Sequence, residues 1–167
     1  MEIKVLNKSN NPLPEYKTLE AAGMDIRADL KHSAVDSKDC HLFLENGIAH
    51  VTIKPLGRVI VPTGLYFDIP TGYEIQVRPR SGLAANAGIT VLNTPGTIDA
   101  DYTGELKVIL VNLSNEDFTF SDGERIAQIV LHELKINDRI EWKSITEITR
   151  DSKRGSGGFG STGKNWK

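Results

Sequence analysis

Short apolar, β-branched segments recur along the chain between Gly, Pro and Asn punctuation, at residues 48–53, 58–61, 65–69, 74–78, 89–92, 106–112 and 126–131. Many short strands at that spacing predict an all-β sandwich or barrel. In 65–69 and 74–78 apolar side chains alternate with others, as in strands that bury one face. No window sustains helical periodicity for three turns, and the best helical segment is the brief Ser81–Ala87. Residues 30–47 are polar, carry Asp36, Lys38, Asp39 and Glu45, and read as an irregular surface excursion rather than a second domain. No internal repeat is present.

The composition changes near residue 149. Residues 150–167 read RDSKRGSGGFGSTGKNWK, in which Phe159 and Trp166 are the large apolar side chains. Such a segment cannot bury enough surface to order itself. The expected organisation is one folded domain over 1–148 and a flexible arm over 149–167, which contacts with a bound anion could order. At 167 residues with 39% hydrophobic side chains, the chain can bury a real core. A net charge of -2 gives no general field to gather nucleic acid, so a phosphate site must be local. Cys40 is the single cysteine, which excludes an internal disulfide and suits a reducing compartment. No apolar run approaches the ~18 residues of a membrane span, and a cytoplasmic location is expected.

Four segments add candidate chemistry. Residues 96–104, GTIDADYTG, place Asp99 and Asp101 two apart, on one face if the backbone is extended. Clustered carboxylates suit base catalysis or metal work, although Asp and Gly also form polar turns. Residues 78–84, RPRSGLA, offer Arg78 and Arg80 beside the Ser81 hydroxyl and Gly82, a set able to grip phosphate or simply a solvated strand exit. In residues 21–29, AAGMDIRAD, Asp25 lies among apolar neighbours, where a carboxylate is costly unless paired or turned to solvent. In residues 123–133, GERIAQIVLHE, Arg125 and Gln128 interrupt a strand-like run, and Arg125 reads as an ion-pair partner.

The tail matches both GxGxxG, at Gly155, Gly157 and Gly160, and GxxxxGK, at 158–164. Both fingerprints need a strand before and a helix after, but only Asn165, Trp166 and Lys167 follow, so neither nucleotide fold is expected. Glycines that admit phosphate oxygens to backbone N–H groups, with Lys153, Arg154 and Lys164 adding charge, remain a plausible anion clasp.

In order, AGMD, PRSGLA, Asn93 with GTIDADYTGE, GERIAQ and RGSGGFGSTG resemble the five motifs of the trimeric all-β dUTPase family, over residues 21–163. The resemblance implies a β jelly roll, a distorted barrel with a Gly-rich C-terminal arm, assembled as a homotrimer with active sites between subunits. It implies hydrolysis of dUTP to dUMP and pyrophosphate, which limits uracil in DNA and supplies dUMP for thymidylate synthesis. Asp99 would be the general base. Arg80, Ser81 and Gly82 would hold phosphate, Asn93, Thr97 and Ile98 would read uracil, and Tyr102 would lie flat against the deoxyribose. Lys107 and Gln128 would add pocket contacts. Mg2+ would be held mainly by the phosphates, with Asp25 a partner through water. Arg154, Phe159, Gly160, Ser161 and Thr162 would close over a neighbouring subunit's site. No nucleic-acid or membrane partner is implied. The competing readings are a dCTP deaminase of the same fold, against which the IDADY hairpin and complete tail argue, and a nucleotide sensor without turnover.

Overall fold

A computed structural model describes residues 2–32, 35, 39–135, 140–150 and 152. The strands are β1 (Lys4–Asn7), β2 (Met24–Arg27), β3 (Cys40–Glu45), β4 (Ile48–Ile53), β5 (Arg58–Pro62), β6 (Leu65–Asp68), β7 (Tyr73–Arg78), β8 (Ile89–Val91), β9 (Gly96–Ile98), β10 (Lys107–Asn112), β11 (Phe118–Ser121) and β12 (Arg125–Glu133), with one helix, α1 (Ser81–Ala87), between β7 and β8. The fold is therefore all-β, as expected. Every pairing is antiparallel, and the sheets have the orders β1-β6, β5-β10-β8, β11-β4-β3 and β2-β12-β7-β9.

The alternation along the strands is what closes the core. In β4, Ala49, Val51 and Ile53 point in, and in β7 Ile75 and Val77 do. These pack with fully buried Phe120, Ile26, Ile89, Leu106 and Leu110 in one cluster. Each such side chain contributes ~1.5–3 kcal/mol by leaving water, which holds the sheets against one another and fixes their edges. Contacts divide the chain into Met1–Ile136 and Asn137–Lys167. All the strands and α1 belong to the first unit. The described residues of the second form no strand or helix and expose Ile140, Trp142, Ile145 and Ile148.

Residues 30–47 are not irregular throughout. Cys40–Glu45 form β3, which pairs with β4 through a hairpin turn at Asn46 and Gly47, both at positive φ (52° and 79°). Asn-Gly at a two-residue turn is the combination that tolerates this geometry. β3 is an edge strand that buries neither face, with Leu42 and Leu44 exposed. Its sequence therefore lacks the one-sided alternation that marked the other strands.

Candidate functional site

The sheet β2-β12-β7-β9 carries most of the candidate residues. β12 lies between β2 and β7, and its register sets Gln128 opposite both Asp25 and Arg78, in one row across three strands. A β-bulge shifts the register between Arg125 and Ala127. Without the extra residue Arg125 would face away from Gln128; with it, Arg125 lies opposite Arg27, on the face that Asp25 and Gln128 share. The outcome is a shared ion pair. Arg80 Nε donates to Asp25 Oδ1 at 2.9 Å and Arg125 Nη1 to Asp25 Oδ2 at 3.0 Å, with the Asp25 side chain 23% exposed. Asp25 is paired, as its apolar neighbours require, and Arg125 is the ion-pair partner expected.

Arg80 also donates from Nη1 to the Arg125 carbonyl at 3.1 Å, and Gln128 Nε2 donates to the Pro79 carbonyl at 2.8 Å. The Gln128 amide lies so close to Gly23 that a Cβ there would collide with it. Strands β2 and β12 thus grip the Pro79-Arg80 turn at two points. The chain then enters α1 at Ser81. Arg80 precedes the helix in extended backbone (φ -86°, ψ 127°), no side chain caps it, and Ser81 and Gly82 are exposed. First-turn N–H groups without a side-chain acceptor are donors available to an anion.

β9 runs along the free edge of β7, with Gly96 opposite Val77, Thr97 opposite Gln76 and Ile98 opposite Ile75. The preceding bend carries a cis Thr94–Pro95 bond, and the Asn93 amide folds back over Gly96, 3.1 Å from where a Cβ would stand. After Ile98 the chain turns: Tyr102 N–H donates to the Asp99 carbonyl at 3.1 Å. Asp99 and Asp101 therefore sit in a tight turn, not on one face of an extended strand; the turn-forming tendency of Asp and Gly prevails. Asp99 is exposed, and among the described residues its carboxylate has no hydrogen-bond or ion-pair partner. Both oxygens of Asp25, by contrast, are taken.

Tyr102 lies over Gly104, where a Cβ would strike its ring, and its hydroxyl donates to the Glu105 carbonyl at 2.9 Å. Lys107 is half exposed at the start of β10, 3.7 Å from Glu105. Glu105 was not singled out by sequence, since nothing near it in the chain signals its contacts.

Asp25, Arg80 and Gln128 are thus brought together, while Asn93, Thr97, Ile98, Asp99 and Tyr102 form a second group. Asp99 leaves the sheet past the Tyr73 end of β7 and Ser81 past the Arg78 end. The two are separated by the length of that strand, roughly 15–20 Å at ~3.3 Å per residue. Arg154, Phe159, Gly160, Ser161 and Thr162 lie outside the described residues. No group of three or more His, Cys, Asp or Glu among the described residues could hold a metal, and no helix among them is long and apolar enough to cross a membrane.

The sequence model of the dUTPase family matches residues 46–163. The deoxyuridine 5'-triphosphate nucleotidohydrolase of Finegoldia magna is 48% identical over 98% of this chain and 99% of its own. That of Cytophaga hutchinsonii is 50% identical over 97% of this chain and 92% of its own. Among solved structures, Staphylococcus bacteriophage 80alpha dUTPase with dUPNHPP superposes with a TM-score of 0.69 at 26% identity, over 98% of both chains. The dUTPase of S. aureus phage phi11 shares the fold at a TM-score of 0.64 and 21% identity, over 89% of this chain and 99% of that one.

Proposed function

The chain belongs to the dUTPase family, and on that premise we infer that it hydrolyses dUTP to dUMP and pyrophosphate, with water attacking the α-phosphorus. The observation that carries the assignment of base is the contrast between Asp99 and Asp25, the two carboxylates that the family motifs place in the site. A general base needs a lone pair directed at a water. Among the described residues Asp99 has both oxygens free on an exposed, closed turn, whereas Asp25 has both held by guanidinium groups. Asp99 orients the water and accepts its proton. Arg80, Ser81 and Gly82 hold the phosphates, Ser81 donating its hydroxyl, and offset the charge that develops on the phosphate oxygens.

Uracil is read by Asn93 and by the backbone at Thr97 and Ile98, with no space for a C5 methyl. The Tyr102 ring carries the deoxyribose and meets a 2′-hydroxyl sterically. Lys107 and Gln128 support the pocket, Gln128 through the turn that presents Arg80. With dUTP bound, residues 149–167 close over a neighbouring subunit's site: Phe159 stacks on uracil, Arg154 reaches phosphate, and Gly160, Ser161 and Thr162 add donors. Closure excludes bulk water.

Magnesium fits as a substrate-held ion. With no cluster of three ligating side chains among the described residues, the chain offers no cage of its own, and Mg2+ retains waters and favours phosphate oxygens. Asp25 is the carboxylate that would accept from those waters, through the lone pairs its two arginine contacts leave unused. Mg2+ bound there would neutralise phosphate charge. Placing Asp99 beside Ser81 takes a second copy of the chain, since β7 separates them within one. This supports sites shared between copies of the chain, and the family's assembly makes that a homotrimer.

Pyrophosphate release measured across dUTP, dTTP, dCTP and UTP tests the reading. Turnover confined largely to dUTP is expected. Ammonia release from dCTP would instead assign a deaminase, and nucleotide binding without any turnover a sensor.

A further inference from the structure

Glu105 has a side chain only 9% exposed. A carboxylate so deeply placed is costly unless its oxygens are satisfied, and its partners are specific. Oε1 accepts from the backbone N–H of Gly64 at 2.9 Å and of Thr63 at 3.2 Å, and Oε2 lies 3.7 Å from Lys107 Nζ. Thr63 returns the contact: its buried hydroxyl donates to the Leu106 carbonyl at 2.6 Å, and Leu106 N–H donates to the Leu65 carbonyl at 2.8 Å. The backbone of 105–106 is therefore clasped to the 63–65 turn from both sides.

On the same backbone sits the acceptor for Tyr102. Among the described residues its hydroxyl has one partner, the Glu105 carbonyl, and its ring rests on Gly104. A ring 45% exposed at the surface has little packing to hold it, so its orientation is set by where Gly104 and Glu105 are held. Those positions are fixed by the carboxylate bonds to Thr63 and Gly64.

We propose that Glu105 is a positioning residue for sugar selectivity: by anchoring its own backbone to the Thr63-Gly64 turn, it holds the Tyr102 ring at the height where a deoxyribose fits and a ribose does not. This rests on the reading above, in which Tyr102 carries the sugar. Removing the anchor lets the ring yield to a 2′-hydroxyl. Glu105 touches no substrate itself, and its effect passes through Tyr102.

The test is the ratio of kcat/KM for dUTP to kcat/KM for UTP in the full-length protein, with KM and kcat resolved, in E105A, E105Q and Y102F. E105A is expected to lower the ratio by about tenfold or more, within the range by which a pocket discriminates one small group, with the loss mainly in KM. E105Q keeps an acceptor for the two N–H groups and should recover most of the ratio. Y102F loses the hydroxyl bond and should lower the ratio without altering Glu105. A purely structural role would reduce both substrates' turnover together and leave the ratio unmoved. If E105A does not fold, E105Q and Y102F decide: wild-type ratios in Y102F overturn the proposal, as does a collapse in E105Q equal to that in Y102F. A wild-type protein that does not prefer dUTP over UTP would refute the functional reading instead, before any variant is compared.

Discussion

Replacing Asp25 by Asn removes the charge shared by two guanidinium groups while keeping nearly the same volume. The Arg80 pair is the better protected, its side chains 27% and 23% exposed, whereas Arg125 is 44% exposed. A hydrogen bond to a charged group contributes ~1.5–3 kcal/mol; a half-exposed pair is screened and falls nearer ~0–1 kcal/mol. The Asn amide also turns an NH2 toward one of the cations. A loss of about 2–3 kcal/mol follows from these two contributions. Urea unfolding at one fixed protein concentration measures it, because association would add to apparent stability. Arg80 should also lose its aim, so a non-hydrolysable dUTP analogue should bind more weakly by calorimetry. A loss below about 0.5 kcal/mol, the range of ordinary surface changes, with unchanged analogue affinity would refute Asp25 as the organising charge of the phosphate turn.

Two further outcomes are expected. D99N should bind the same analogue with nearly unaltered affinity yet release pyrophosphate at least ~100-fold more slowly, as loss of a general base requires; undiminished turnover in a single-turnover assay would remove Asp99 from that role. Deleting residues 150–167 should leave the β-structure intact by circular dichroism while turnover falls steeply, and a truncated protein hydrolysing dUTP at the full rate would show that the tail does not close the site.

Sequence pattern revealed those elements whose side chains report their surroundings. β4, β5, β6 and β7 largely bury alternate residues, β10 and β12 carry long apolar, β-branched runs, and Ser81–Ala87 is a helix followed by Gly88 in the left-handed region. β1, β2, β9 and β11 each bury at most one residue, too few for a period to emerge, and β3 is an edge with no buried face. At Asp99 and Asp101 the polar-turn alternative holds, because a side-chain period applies only where the backbone is extended. The need to pair Asp25 could be read from its neighbours, but its partners lie 55 and 100 positions away, Arg80 in the turn after β7 and Arg125 beside a bulge in β12. Glu105 escaped for a similar reason: its partners are main-chain N–H groups more than 40 positions upstream, and a main-chain donor leaves no mark in side-chain pattern.

The most direct measurement mixes two inactive proteins. On the proposed mechanism D99N would lack the base and keep a sound phosphate turn, and S81A would have the reverse defect. Unfolded together in equal amounts and refolded, they should assemble at random, and about a quarter of sites in a cyclic assembly would then take Asp99 from one chain and Ser81 from another, both intact. Pyrophosphate release from dUTP should return to roughly that fraction of the wild-type rate. Activity no greater than that of the separate variants would contradict a site in which a carboxylate from one chain acts on a nucleotide held by the next.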